Sequence, residues 1–147
     1  MHDYDDDYRT CMSTYATLRI TSDTLSPEEI SGTLKQNPTR TIQKGELRSE
    51  RASLKNRYFT YNGWFYCTKE LSTSRDCRRH LDIIINNILQ DSPATLKLQE
   101  QGCNIDIVIF YSYSQGGPTI SPSQMLPLAN ANIHIWWDLY KEDEEDI

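Results

Sequence analysis

The sequence predicts an α+β domain with helices packed on one face of a mainly antiparallel sheet, and three observations carry that reading. Segments with period-two hydrophobicity alternate with segments of helical spacing in the order β-α-β-β-α-β-α-β. Two of the helix starts share one capping pattern, and each follows a strand and a polar loop. The longest apolar stretch, Ile105–Tyr113, is interrupted by Asp106 and has the length of a strand, far short of the roughly 18 residues of a membrane span. A chain of 147 residues has room for one domain.

The elements follow in order. Tyr15–Ile20 alternates, with Ala16, Leu18 and Ile20 on one side and Tyr15, Thr17 and Arg19 on the other, as in a half-buried strand. Ser26 then caps a helix, Pro27 suits its first turn, Glu29 closes a capping box, and Leu25 with Ile30 forms a staple. This helix must stop near Asn37-Pro38. Residues 39–57 are basic with little periodicity and read as a loop or an irregular edge strand. In Tyr58–Cys67, Asn62-Gly63 flanked by aromatic residues is a hairpin signal. A long helix starts near Arg75, with Cys77, Leu81, Ile84, Ile85 and Ile88 at helical spacing. Asp91-Ser92-Pro93 breaks it, and a shorter helix ends at Gly102. Ile105–Tyr113 reads as a central strand, and Ile133–Tyr140 closes the sheet. Thr24–Ile30 and Thr119–Met125 share a staple, a Ser-Pro cap and a Glu/Gln at the third helical position. Common capping chemistry produces such echoes, and so would two related strand–helix halves. The order contains a ferredoxin-like β-α-β-β-α-β core with one more α-β unit.

Charge is unevenly placed. The formal net charge is −6, yet Asp3, Asp5, Asp6 and Asp7 cluster at one end and Glu142–Asp146 at the other. Residues 1–13 and 141–147 therefore read as acidic, flexible tails around a single domain at 14–140. Inside that domain, residues 35–57 hold seven Lys or Arg against two Glu. The acidic start lacks the apolar core of a secretory signal. The four cysteines (Cys11, Cys67, Cys77 and Cys103) lack C-x-x-C spacing, so reduced thiols in a cytoplasm are the expectation.

No residue pattern announces catalysis, a metal or a cofactor. His2 with the neighbouring Asp residues lacks the spacing of a Ca²⁺ loop, and His80 and His134 are isolated from each other. Asp76, Cys77 and His80 are close enough for a thiol and a base, but Cys77 falls on the apolar stripe of its helix. Gly116-Gly117 before Ser121 is a candidate ligand loop, although it matches no phosphate-binding pattern. The basic segment 35–57, with Tyr61 and Trp64 as stacking surfaces, is a candidate for nucleic acid, which the acidic ends oppose. A protein interface has better support. Trp136, Asp138 and Tyr140 lie opposite the core side of the last strand, exposed Trp and Tyr mark binding surfaces, and with Tyr61 and Trp64 these are the candidate partner-binding residues.

Ala16–Ile20, Leu25–Ile30, Asn37–Arg40 and Lys44-Gly45-Glu46 occur in succession, followed by Gly63-Trp64, Gly116-Gly117 before Ile120-Ser121-Pro122, and Trp137–Tyr140. In that order over residues 14–140, they resemble the bacterial domain-of-unknown-function family 4279. The resemblance implies a small cytosolic bacterial protein and transfers no catalytic residue. It is compatible with the style of immunity proteins. The expected function is non-catalytic binding of a protein partner, as in an immunity-like inhibitor of a bacterial toxin. Small-molecule binding or an enzymatic reaction is the alternative, and nucleic-acid binding is third. The oligomeric state is not legible.

Overall fold

The computed structural model describes residues 3–48, 57–90 and 92–143. Its elements are β1 (Cys11–Ser22), α1 (Pro27–Leu34), β2 (Arg40–Ile42), β3 (Asn62–Cys67), α2 (Cys77–Ile84), α3 (Ser92–Glu100), β4 (Asn104–Tyr113), α4 (Pro122–Asn130) and β5 (His134–Lys141). A π-helical turn, Ile85–Leu89, prolongs α2. The strands form one sheet in the order β2-β3-β1-β4-β5, antiparallel except for the β4–β5 pair. The first four strands have the ferredoxin-like arrangement: β3 lies between β1 and β2, and β4 lies on the other side of β1. The added unit differs, because α4 returns the chain to a strand directly beside β4.

The local signals explain the helix ends. In α1, Ser26 Oγ accepts from the Glu29 N–H (3.2 Å), and Glu29 carries the returning half of the box. Lys35 leaves the helix at φ 54° while its N–H still bonds Ser31 O at 2.8 Å. Gly102 takes φ 93° after α3, as the end of that helix requires. Helix α2 starts one residue after Asp76, whose carboxylate accepts from the Arg78 N–H.

The core lies between the sheet and the helices. Ala16, Leu18, Ile20, Ile107 and Ile109 from the central strands are fully buried against Ile30, Leu81, Ile84 and Leu98. Trp64 is also completely buried, and its indole N–H donates to Ser31 Oγ at 2.9 Å, which ties β3 to α1. β1, rather than the more hydrophobic β4, is the middle strand. Val108 and Phe110 on the second side of β4 stay half-buried.

Two expectations need correcting here. Asn62-Gly63 is not a hairpin turn but the start of β3, paired with Thr21 and Ser22 of β1. The Asn62 amide is used over long range instead: Nδ2 donates to Leu25 O (2.9 Å), and Oδ1 accepts from the Lys44 N–H (2.8 Å). Gly63 leaves room for a ring, since a Cβ there would come within 2.8 Å of Phe65. The return from β2 to β3 instead carries a Leu47–Tyr58 bridge with Phe59 N–H on Glu46 O, and residues 49–56 of this connection lie outside the described set.

The second correction concerns the amino end, where Asp3–Thr10 is held against α2 rather than left as a free tail. Asp6 makes a paired contact with Arg79 (2.7 and 2.9 Å) and accepts from Ser74, while its backbone carbonyl takes the Arg75 N–H. The Asp5 N–H donates to Asp76, Tyr4 bonds Asp82, and the Arg79 guanidinium lies 4.1 Å from the Tyr4 ring centroid. These partners sit about 70 residues away in sequence, so composition could not reveal them. At the other end, Glu142 and Asp143 are exposed, and residues 144–147 are outside the described set.

Candidate functional site

The alternation that buries Ala16, Leu18 and Ile20 directs Tyr15, Thr17 and Arg19 to the opposite side of the sheet. Arg40 of β2, Phe65 and Cys67 of β3, Asp106, Val108 and Phe110 of β4, and His134, Trp136, Asp138 and Tyr140 of β5 join them there. These side chains remain half-buried or exposed, and none is closed over as the other face is. Two adjoining troughs of about 630 and 540 Å³ run across this open face and share Arg19, Tyr61 and Phe65.

An ion pair stands at the centre. Arg19 and Asp106 are opposite one another across β1 and β4, and the guanidinium grips the carboxylate with both Nε (2.8 Å) and Nη2 (2.7 Å). This bonding raises the Arg19 pKa, against a smaller opposing effect of burial. A row of rings crosses three strands beside the pair. Tyr15 stacks on Phe110 at 4.8 Å and 13°, and Phe110 meets Tyr140 at 5.2 Å. The Tyr140 hydroxyl bonds the Asp138 carboxylate, which raises the phenol pKa.

Cations lie over several of these rings. Arg40 is 4.8 Å from the Phe65 centroid, Lys69 is 5.4 Å from that of Tyr15, and Arg19 is 6.0 Å from that of Trp136. At the rim, Arg48 covers Phe59, which meets Tyr61 edge-on. The face therefore offers planar rings, positioned guanidinium groups and two carboxylates. Four of its ionisable groups are engaged in pairs, Arg19 with Asp106 and Tyr140 with Asp138.

Of the residues selected from the sequence, Trp136, Asp138, Tyr140 and Tyr61 come together on this face. Trp64 does not, because its odd-numbered neighbours Gly63 and Phe65 take the open side and Trp64 itself enters the core. Arg19, Tyr15, Phe65 and Phe110 were missed as site residues. The available signal was their place on the second side of strands whose first side is apolar, but only the sheet order shows that these second sides share one surface.

The other candidates are absorbed by the fold. Cys77 is buried and donates to Thr119 O, and loss of solvent pushes its thiol up to about 11, away from a reactive thiolate. His80 is fully buried between Thr68 Oγ1 (2.6 Å) and Ser74 O (2.8 Å). The carbonyl requires the proton on Nε2, so Nδ1 accepts from Thr68, whose oxygen in turn accepts from the Ala16 N–H. Burial lowers the pKa of this neutral imidazole. The Gly116-Gly117 loop packs beside Tyr8, with Tyr111 donating to Gly117 O, and Ser121 begins α4 with its N–H on Gln124 Oε1. Cys11, Cys67, Cys77 and Cys103 are free thiols. Among the described residues, no three His, Cys, Asp or Glu side chains converge as a metal site would require. No helix among them is long and apolar enough to cross a membrane.

No curated protein and no solved structure matches the chain. The family model described as a domain of unknown function (DUF4279) matches residues 12–142, from the first strand to just beyond the last, and the chain belongs to that family.

Proposed function

We propose that this domain is a non-catalytic binding protein that docks a protein partner on the open face of its sheet, and that it acts as an immunity-like inhibitor of a bacterial toxin. The observation that carries the reading is the exposure of Trp136 (61%) and Tyr140 (49%) beside the Tyr15–Phe110 stack and the Arg19–Asp106 pair. Trp, Tyr and Arg are the residues that concentrate binding energy at interfaces. Rings already stacked in the free protein would lose little side-chain entropy on docking. The net charge of −6 favours a basic partner through long-range steering, which raises the association rate.

The experiment pairs the domain with a protein whose expression alone arrests growth and which co-purifies with it. Co-expression should restore growth, and Trp136→Ala and Arg19→Ala should each weaken the complex about 10- to 100-fold in a calorimetric titration. An unchanged affinity in both variants overturns the docking face. Tight single-stranded DNA binding that falls steeply with salt, with no effect on any toxic protein, would assign the face to nucleic acid instead.

A further inference from the structure

β5 is an edge strand, and its exposure changes along its length. On the helix side, Ile133 is buried and Ile135 half-buried, whereas Trp137 is 38% and Leu139 48% exposed. The helix layer thus stops short of the carboxyl half of β5. With Trp136 and Tyr140 on the other side, this one strand exposes on the order of 400 Å² of large apolar side chain, within the range of patches that mark interaction sites. The backbone of the strand is also open. The Glu142 N–H reaches Tyr113 O on β4, so alternation turns the even-numbered amides of β5 inward. Ile135, Trp137 and Leu139 consequently present their N–H and C=O groups to the free edge, with no strand beyond them among the described residues.

We propose that this edge pairs with β5 of a second copy of the chain, antiparallel about a two-fold axis at Trp137, giving one continuous ten-stranded sheet. An axis perpendicular to the sheet keeps each face on its own side and requires a register centred on a single residue. Centred on Asp138, it would set two carboxylates against each other. Centred on Trp137, it places Trp137 against its own mate and Ile135 against the second copy's Leu139, on the helix side of the sheet at the edge of that layer. His134 then faces the second copy's Tyr140, and Trp136 faces its Asp138, so no like charges are opposed. The two open faces become one broader surface, and the exposed backbone groups and apolar side chains of the edge are covered together. The apolar patch is about half of the roughly 800 Å² that each partner buries in a standard interface, which places the pair among weak, reversible contacts.

Sedimentation equilibrium of the full chain from about 1 to 500 µM tests this. Reversible dimerisation is expected, and Leu139→Lys, at an exposed position, should raise the dissociation constant at least about 100-fold while circular dichroism stays unchanged. In a second variant, Trp137→Cys, the two cysteines face each other across a hydrogen-bonded pair with Cα atoms about 5.5 Å apart, within disulfide reach. Oxidation should yield a dimer on a non-reducing gel beyond the level given by the four native thiols. A protein that remains monomeric throughout, dimerisation unaffected in folded Leu139→Lys, or a folded Trp137→Cys that fails to cross-link would each overturn the proposal.

Discussion

The helix-covered and open faces of the sheet are built by alternate residues of the same strands, yet they differ in composition. On the covered face, Leu18, Ile20, Ile107 and Ile109 are fully buried, and the aromatic Trp64 is sealed with its one polar atom bonded to Ser31. On the open face, Tyr15, Phe65 and Phe110 stay half-buried, charged groups are paired or laid over rings, and Trp136 and Tyr140 reach solvent. Burial of apolar surface against helices supplies stability on one side. Stacking and cation–ring contacts on the other arrange side chains without removing them from water, which leaves their surface free for a partner.

The largest expected effect separates the faces directly. Trp64→Ala should cost about 3–5 kcal/mol through lost packing and the orphaned Ser31 contact. Trp136→Ala should change stability by no more than about 0.5 kcal/mol. Urea denaturation of both variants measures the contrast, and similar losses would mean that the open face also holds the fold together.

A smaller effect follows from pH. Because burial lowers the His80 pKa below its ordinary 6.5, the unfolded chain binds a proton more readily than the folded one just beneath that value. The contribution is complete above about pH 6.5 and is lost as pH falls through it. The urea midpoint should therefore decline between neutral pH and pH 5, and His80→Gln should flatten that decline. A wild-type midpoint that is constant over this window would contradict a buried neutral imidazole. Asp6 and Asp76 act at lower pH. Arg79 and Ser74 hold Asp6 down to about 2, and at Asp76 burial is outweighed by bonds from Arg78 and the Asp5 N–H. Their contribution is present above their ordinary 3.8 and lost as acid protonates them, so they do not confuse the upper window.

The ion pair of the open face should also contribute little to stability. The Arg19 side chain is 41% exposed, and solvent screening holds such pairs to below about 1 kcal/mol despite two good hydrogen bonds. A double-mutant cycle with Arg19→Met and Asp106→Asn measures the coupling. A coupling of several kcal/mol would make the pair part of the scaffold rather than of a recognition surface.

Signals that act within about four residues were legible in the sequence. The Ser26–Glu29 box, the stop of α1 ahead of Asn37-Pro38 and the alternation of Tyr15–Ile20 need only neighbouring residues, and they take the conformations their local chemistry favours. The faces of β5 were legible for the same reason. Local chemistry misled at Asn62-Gly63, where turn preference yielded to pairing with β1 and to two long-range amide bonds.

The sequence by itself determined the order of the elements, the start and end of α1, and which residues of each strand share a side. Capping and pleat are set by adjacent covalent geometry. Only the tertiary structure decided that β1 is central, that Trp64 is core, and that Asp3–Thr10 binds the start of α2. Those outcomes depend on partners tens of residues away, whose approach is governed by sheet order and burial rather than by any local preference.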